Sequence, residues 1–309
     1  MKWRSLEESA PNAENRSLHD IFAERKALIA KYVPPDTQNV HARVIAALKE
    51  KRLADDVLTV DCKAPAFELN DHNGTLVSSA RLLTQARLVL CFFRGRWCPF
   101  CVGQMEAVNL LLPQIERAGA SLLAISPQTV QQSFFMVDQH KLRFPLLSDA
   151  GNQVARQFGL VYRVPEEQQA IYRRAFVNLP FANGDNSWEL PIPATFILDR
   201  DGTILYASAD EDYTQRPEPR EILRQLSTRQ YPIGKGYPGR NRHRGLTSNH
   251  RLDRSGSTEE DDLRIDPIFL KHPAILCNPE RRQCSAVAGT SHFHLLHFSL
   301  RVNVSRPDH

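Results

Sequence analysis

One segment of ten residues, FFRGRWCPFC at 92–101, constrains the fold of this chain more than any other part of its sequence. In the segment RLVLCFF at 87–93, the six residues after Arg87 are continuously apolar, which predicts a β-strand buried on both faces. From Cys98 to Ala118, apolar residues recur at helical spacing. The sequence therefore places a Cys-x-x-Cys pair, Cys98 and Cys101, where a buried strand passes into a helix.

This position favours redox chemistry at the cysteines. The first turn of a helix has free backbone N–H groups and the positive end of the helix dipole, and both stabilise a thiolate. Arg94 and Arg96 add positive charge, so a cysteine here is expected to have a lowered pKa and to be nucleophilic. Pro99 suits the first or second helical position, where its missing N–H costs no hydrogen bond. The spacing also lets the two sulfurs close a disulfide, so that one can attack and the other resolve.

A Cys-x-x-Cys pair can instead be half of a structural zinc site, but such a site needs a second pair. The other cysteines show no two-residue spacing; they are Cys62, Cys91, Cys277 and Cys284. We therefore predict a redox pair without a metal. Cys91 lies within the apolar run and is predicted to be inert core, whereas Cys62 is interpreted as a free surface thiol.

Strands and helices alternate along the chain. Two amphipathic helices are predicted before residue 55, at 17–32 and 37–53, separated by Pro34 and Pro35. Beyond them, the patterns predict strands at 64–69, 71–77, 87–93, 121–125, 144–147, 195–198 and 203–206. They predict helices at 98–118, 128–140, 153–158, 166–176 and 219–228, and a loop at 181–190. The alternation indicates an α/β fold with a mixed central sheet.

Composition narrows the class of protein. With 42% hydrophobic and 24% charged residues, the chain is ordinary for a soluble globular protein. Its longest apolar run, 88–93, is six residues long, whereas a membrane span needs about 20. Residues 1–20 are polar and lack the apolar block of a secretion signal. We therefore expect no membrane association and a cytoplasmic location.

The last part of the chain differs from the rest. Residues 232–309 hold 12 Lys and Arg against 8 Asp and Glu, together with 7 of the 11 His. Apolar residues show no regular spacing over 231–258, and a short apolar patch follows at 292–304. We predict an N-terminal helical leader at 1–54, a folded domain at 55–230, and a poorly ordered, basic, His-rich tail at 231–309. The spacing of the Cys and His in the tail matches no zinc finger. Acidic residues at 259–262 interrupt its basic clusters, so nucleic-acid binding is not favoured.

Three segments of the sequence, by their order and spacing, indicate a protein family. VDCKAPAFELNDHNG at 60–74, RGRWCPFC at 94–101 and PATFILDRDG at 193–202 resemble the alkyl hydroperoxide reductase / thiol-specific antioxidant family. Within it they are most similar to the peroxiredoxin-like branch with an R-G-x-W-C-P-x-C motif. The resemblance extends over 18–226 and implies a thioredoxin-like fold, a cysteine-based peroxidase and no cofactor.

The chain departs from the family pattern Pro-x-x-x-Thr/Ser-x-x-Cys. The peroxidatic cysteine corresponds to Cys101, while Cys98 stands at the Thr/Ser position and Arg94 at the Pro position. The family's second active-site arginine corresponds to Pro193. That proline instead resembles the cis-proline that faces the cysteine pair in thioredoxins.

Two mechanisms follow from the resemblance. In a peroxidase, a thiolate reduces hydrogen peroxide or an alkyl hydroperoxide, Arg94 or Arg96 stabilises the leaving oxygen, and the Cys98–Cys101 disulfide is reduced by a thioredoxin- or glutaredoxin-like partner. In a protein disulfide reductase, Cys98 attacks and Cys101 resolves. A third alternative is a non-catalytic redox-sensing or binding module.

The substrate cleft is predicted to include three residues near the pair, Trp97, Pro99 and Pro193. Trp97 would cover the cysteines or, alternatively, serve only as a buried packing residue. The resemblance leaves a homodimer open. It also leaves open which cysteine attacks, because the family pattern favours Cys101 and the thioredoxin pattern favours Cys98.

Overall fold

A computed structural model describes residues 16–228 of the chain. Its α-helices are α1 (Leu18–Tyr32), α2 (Pro35–Glu50), α3 (Ser79–Leu83), α4 (Pro99–Arg117), α5 (Val130–His140), α6 (Gln153–Gln157), α7 (Glu166–Arg174), α8 (Leu179–Asn183) and α9 (Pro219–Thr228). Its strands are β1 (Glu68–Asp71), β2 (Leu76–Ser78), β3 (Arg87–Phe92), β4 (Ala120–Ser126), β5 (Leu146–Ser148), β6 (Val161–Arg163), β7 (Glu189–Pro191), β8 (Ala194–Leu198) and β9 (Ile204–Ala209). The predicted tail at 231–309 lies outside the described residues.

The strands form a seven-stranded mixed sheet in the order β2-β1-β5-β4-β3-β8-β9, and β6 pairs with β7 in a second sheet. Strand β4 runs parallel to both β3 and β5, while β8 is antiparallel to β3 and to β9. Helix α4 follows β3, and the β8–β9 hairpin leads to α9. The predicted mixed α/β fold is confirmed, and this connectivity is that of a thioredoxin-like fold.

Strand β3 lies at the centre of the core. Its residues from Leu88 to Phe92 are 0% exposed, because side chains alternate between the two covered faces of the sheet. On one face Cys91 belongs to the hydrophobic cluster that contains the buried side of α4. On the other, the ring of Phe92 lies 4.9 Å from that of Phe158 and 5.9 Å from that of Phe196. Burial raises the pKa of Cys91 to about 12, which agrees with its interpretation as an inert core thiol.

The N-terminal helices pack on the sheet domain. The Ser17 side chain caps α1 by accepting a hydrogen bond from Asp20 N, and the Glu218 carboxylate accepts bonds from Leu18 N (3.0 Å) and His19 N (2.8 Å). The Phe22 ring meets the Phe100 ring of α4 edge-on at 5.1 Å. Helix α1 is therefore fixed beside the first turn of α4, where the cysteine pair lies.

Several predicted boundaries shift. The loop predicted at 181–190 is wrong, because it overlaps the end of α8 and all but the last residue of β7. Asn178 caps α8 by accepting a bond from Phe181 N, and Gly184 ends the helix at φ 72°, so local capping makes a helix too short for a periodicity signal. Helix α2 begins at Pro35, two residues earlier than predicted, because proline suits the first helical position. Each helix at 16–228 is too short or too polar to cross a membrane.

Candidate active site

The two cysteines lie at the start of α4. Cys98 is the N-cap of the helix and Cys101 is its third residue, while Pro99 occupies the first helical position. Both sulfurs are free thiols, and their residues are only 1% and 0% exposed. The strand-to-helix placement predicted from the sequence is therefore confirmed, with both cysteines buried beneath other groups.

Arg94 contacts both cysteines. Its backbone N–H donates to the Sγ of Cys101 at 3.5 Å, and its Nη1 lies 4.0 Å from the Sγ of Cys98. The side chain is 1% exposed, and its Nη2 donates to the hydroxyl of Tyr172. The guanidinium carbon lies 4.2 Å from the ring centre of Tyr213 and 4.8 Å from that of Trp97. Aromatic faces attract a cation in this geometry, so the rings hold the Arg94 charge against the cysteine pair.

A second arginine reaches the pair from a distant part of the sequence. Arg216, in the segment between β9 and α9, places its Nη2 3.7 Å from the Sγ of Cys101. Its Nε donates to Gln104 Oε1 at 2.8 Å, and its Nη1 donates to the Gln215 carbonyl at 2.6 Å. These bonds fix the direction of a guanidinium that is itself 6% exposed. Cys101 thus receives one backbone N–H and one cationic donor.

The surroundings make the two cysteines unequal. Burial opposes ionisation of Cys101, but the hydrogen bond from the Cys98 thiol and the charges of Arg216 and Arg94 outweigh it and lower the pKa of Cys101. Burial of Cys98, together with the hydrogen bond that it gives to Cys101, raises the pKa of Cys98. The surroundings therefore favour the negative charge on Cys101 over Cys98.

A cavity of about 470 Å³ lies in front of Cys98. The leader forms one of its walls through Ile29, Val33 and Ile45, and α7 contributes Ile171 to another. His41 of α2 also lines it; burial and the nearby charge of Arg94 lower the pKa of His41 to about 4. The cavity thus offers an apolar path to the pair, with a neutral imidazole in its wall.

Comparison with known proteins finds relatives of this chain among thiol-dependent peroxidases. A sequence model of the AhpC/TSA family matches residues 60–207. A putative peroxiredoxin of Mycobacterium tuberculosis (strain ATCC 25618 / H37Rv) is 30% identical over 111 residues, which are 36% of this chain and 72% of that protein. The chain belongs to the AhpC/TSA family. As a member, it is a thiol-dependent oxidoreductase of the peroxidase type.

Other known proteins are similar to this AhpC/TSA chain. The thiol-disulfide oxidoreductase ResA of Bacillus cereus (strain ATCC 10987 / NRS 248) is 20% identical over 174 residues, covering 56% of this chain and 82% of that protein. The crystal structure of peroxidoxin BcpB from Mycobacterium tuberculosis has 22% identity and a TM-score of 0.45, covering 56% of this chain and 99% of that one. The AhpC/TSA match at 60–207 includes both cysteines but neither α1, α2 nor Arg216.

The remaining predicted site residues are placed differently. Trp97 and Pro99 line the cavity beside Cys98, as predicted for cleft residues. Arg96 turns towards α5, where its Nε donates to Gln132 Oε1 at 2.6 Å and its backbone N–H donates to Gln128 Oε1 at 2.9 Å. Within residues 16–228, the Arg96 side chain makes no hydrogen bond to the sulfur of Cys98 or of Cys101.

Pro193 is not a cis-proline. Residues 16–228 contain no cis peptide bond, so the prediction from the thioredoxin pattern is wrong. Ile192 and Pro193 join β7 to β8, and Ile192 N donates to the Leu160 carbonyl at 2.8 Å, which holds the residue before the proline in place. Pro193 is buried and lines a second cavity, of about 230 Å³, with Thr195 and Arg216.

Sequence reasoning missed two parts of this AhpC/TSA site. Arg216 is 115 residues from Cys101, so no local spacing connects them, although the resemblance did extend over its segment. No spacing in the sequence connects Tyr172 or Tyr213 with Arg94. The structure shows that they hold Arg94.

Proposed function

We propose that this AhpC/TSA protein reduces hydrogen peroxide or an alkyl hydroperoxide with Cys101 as the attacking thiolate and Cys98 as the resolving thiol. The observation that carries the proposal is the pair of donors on the Cys101 sulfur: the Arg94 backbone N–H at 3.5 Å and Arg216 Nη2 at 3.7 Å. Both favour the ionised sulfur, which is the nucleophile in peroxide reduction.

The first step forms a sulfenic acid. The cavity reaches Cys98, and Cys101 lies one helical turn beyond it without exposed surface, so the Cys98 side chain has to move aside for a peroxide to meet the Cys101 sulfur. The Cys101 thiolate attacks the terminal oxygen, the O–O bond breaks, and the released alkoxide or hydroxide takes up a proton. Sulfur is oxidised and the peroxide is reduced to an alcohol or water. The guanidinium of Arg94, next to Cys98, would stabilise the negative charge that develops on the leaving oxygen.

The second step closes the disulfide. The Cys98 sulfur attacks the sulfenic sulfur of Cys101, the S–O bond breaks, and the oxygen leaves as water after taking the Cys98 proton. The hydrogen bond between the two side chains supports this role for Cys98. An external dithiol of the thioredoxin or glutaredoxin type would then reduce the Cys98–Cys101 disulfide. A cytoplasmic location and a homodimer remain predictions.

The disulfide-reductase alternative needs an ionised Cys98 as nucleophile. In this structure burial raises the pKa of Cys98, whereas the Arg94 N–H and Arg216 Nη2 both act on the sulfur of Cys101. These features favour Cys98 as the resolving partner and Cys101 as the attacking one.

Single-turnover stopped-flow tryptophan fluorescence tests the assignment, with reduced wild-type protein, Cys98→Ser and Cys101→Ser mixed with hydrogen peroxide. We expect Cys101→Ser to lose the fast phase and Cys98→Ser to keep it, ending at a sulfenic acid that dimedone labels. Cys62→Ser, which changes a half-buried thiol outside the pair, is the matched control. A fast phase that survives in Cys101→Ser and disappears in Cys98→Ser would reverse the roles.

A further inference from the structure

The two arginines at the cysteine pair have no carboxylate partner among the described residues. The arginine–carboxylate pairs there involve other residues: Arg16, Arg43, Arg52, Arg87, Arg156 and Arg224. Arg94 and Arg216 are nonetheless only 1% and 6% exposed. Within residues 16–228, the two guanidinium groups donate hydrogen bonds to neutral oxygens and to the two cysteine sulfurs.

A buried charge is costly unless an opposite charge accompanies it. In the reduced protein the Cys101 thiolate supplies that negative charge, 3.7 Å from Arg216 Nη2. Oxidation to a disulfide removes the negative charge and leaves both guanidinium groups buried. The arrangement therefore stabilises the reduced protein relative to the oxidised protein, and a stabilised reduced form is what makes a disulfide a strong oxidant.

We propose that the Cys98–Cys101 disulfide is a strong oxidant that oxidises low-molecular-weight thiols entering through the cavity in front of Cys98. The proposal rests on the proposed function for the formation of the disulfide by peroxide. It adds a second substrate class, a small thiol, and an order of events at the two sulfurs.

The cavity determines which sulfur the thiol meets. Cys98 lines it, whereas Cys101 has no exposed surface. A volume of about 470 Å³ lies within the range of small-molecule sites. The leader helices and α7 line the path, so a small thiol can reach Cys98 without displacing these walls.

The exchange proceeds in two balanced steps. The thiolate of the small thiol attacks Cys98 Sγ, the S–S bond breaks, and its electron pair leaves on Cys101 as a thiolate. This leaving group is the sulfur that Arg216 and the Arg94 N–H stabilise, and a more stable thiolate leaves faster. A second small thiolate attacks the bound one, and Cys98 leaves and takes up a proton. Two thiols are thus oxidised to one disulfide, while the protein disulfide is reduced to the pair and one proton is released.

A redox titration tests the thermodynamic part without peroxide. The full chain carrying Cys62→Ser, Cys277→Ser and Cys284→Ser is oxidised with diamide and equilibrated in glutathione buffers, with and without Arg216→Met. Removing the charge that stabilises the thiolate should make the disulfide at least about tenfold harder to reduce, which corresponds to about 30 mV. Arg156→Met, in which the replaced arginine is paired with Glu189, should leave the equilibrium constant unchanged.

A second measurement needs no variant of the site. Because the reduced form is the stabilised one, the diamide-oxidised protein should unfold at a lower temperature than the dithiol protein, opposite to the usual effect of a disulfide. A higher unfolding temperature for the oxidised protein, or an equilibrium constant that Arg216→Met does not change, would overturn the proposal. Neither result depends on peroxide, so the proposed peroxidase reaction stands or fails separately.

A separate substitution tests whether small thiols reach Cys98 through the cavity. Ala42 is exposed on α2 and lines the cavity, so Ala42→Trp should obstruct its mouth. We expect most of the rate of reduction by glutathione to be lost, while the equilibrium constant with glutathione stays the same. An unchanged rate with glutathione would show that thiols reach Cys98 by another path and would overturn this part of the proposal.

Discussion

Cys98 and Cys101 are one helical turn apart, yet they have opposite surroundings. Cys101 has no exposed surface, and its sulfur receives the Arg94 N–H and the Arg216 guanidinium. Cys98 caps the helix and lines the cavity, and its thiol donates a hydrogen bond to Cys101. One cysteine is thus built to carry negative charge, and the other to meet molecules that enter from outside.

This difference shows that the helix N-terminus alone does not choose the nucleophile. Both cysteines are close to the same free N–H groups and the same dipole end. The choice comes from the Arg94 N–H and from Arg216, which both bond the Cys101 sulfur and not that of Cys98. A local backbone donor and a side chain brought in by long-range packing therefore make the pair asymmetric together.

The largest expected effect comes from Arg94→Met, which removes the charge beside both sulfurs but keeps the backbone N–H that Cys101 receives. Since a preorganised donor for a developing charge contributes about 10²- to 10³-fold, we expect the rate constant with hydrogen peroxide to fall by a factor in that range. Stopped-flow oxidation of the reduced variant measures this fall.

The same variant needs a check of its fold. Methionine fills a similar volume to the buried arginine stem, and replacing a buried charge by an apolar side chain is often close to neutral for stability. Thermal unfolding followed by circular dichroism should therefore show a folded protein. A folded Arg94→Met that reacts as fast as the wild type would remove Arg94 from the mechanism.

A pH titration sharpens the comparison between the two sulfurs. Cys101 has a lowered pKa in the folded protein, so its stabilising contribution is complete above the pKa of an unfolded cysteine, about 8.5. It is lost as the pH falls through the lower folded value. The ultraviolet absorbance of the thiolate in the reduced protein should accordingly persist at neutral pH and disappear only on acidification.

Single serine variants of the two cysteines show which sulfur gives the thiolate absorbance. Cys101→Ser should lose the neutral-pH thiolate signal, whereas Cys98→Ser should keep it, because a serine hydroxyl can also donate a hydrogen bond to the thiolate. If the signal instead followed Cys98, the assignment of the charged sulfur would be wrong, and with it the asymmetry of the pair.

The sequence predicted the local part of this site and missed the distant part. The apolar run before the motif and the helical spacing after it were enough to place Cys98 and Cys101, because both signals depend on neighbouring residues. Helix α9 was predicted at its observed bounds, Pro219–Thr228. Pairing between distant segments has no such signal, so the sequence could not show that Arg216 reaches Cys101.

The error at Pro193 has a related cause. Its place before strand β8 resembles that of a thioredoxin proline, but the peptide geometry depends on how β7 and β8 are joined in three dimensions. Here the peptide bond is trans, and the proline lines a cavity together with Arg216. A position in a motif therefore did not determine the conformation there.

The smallest expected effect is that of Arg96→Met on the peroxide rate constant, which is compared with the effect of Arg94→Met. Arg96 lies two residues from Arg94, but its side chain bonds Gln132 and lies 5.8 Å from the Phe135 ring. Arg96→Met should therefore lower the peroxide rate constant by less than about threefold, as expected for a change at a partly exposed site. The measurement is the same stopped-flow reaction that is used for Arg94→Met. A loss as large as that of Arg94→Met would show that Arg96 reaches the leaving oxygen when peroxide is bound, and the charge at the pair would then come from three arginines and not two.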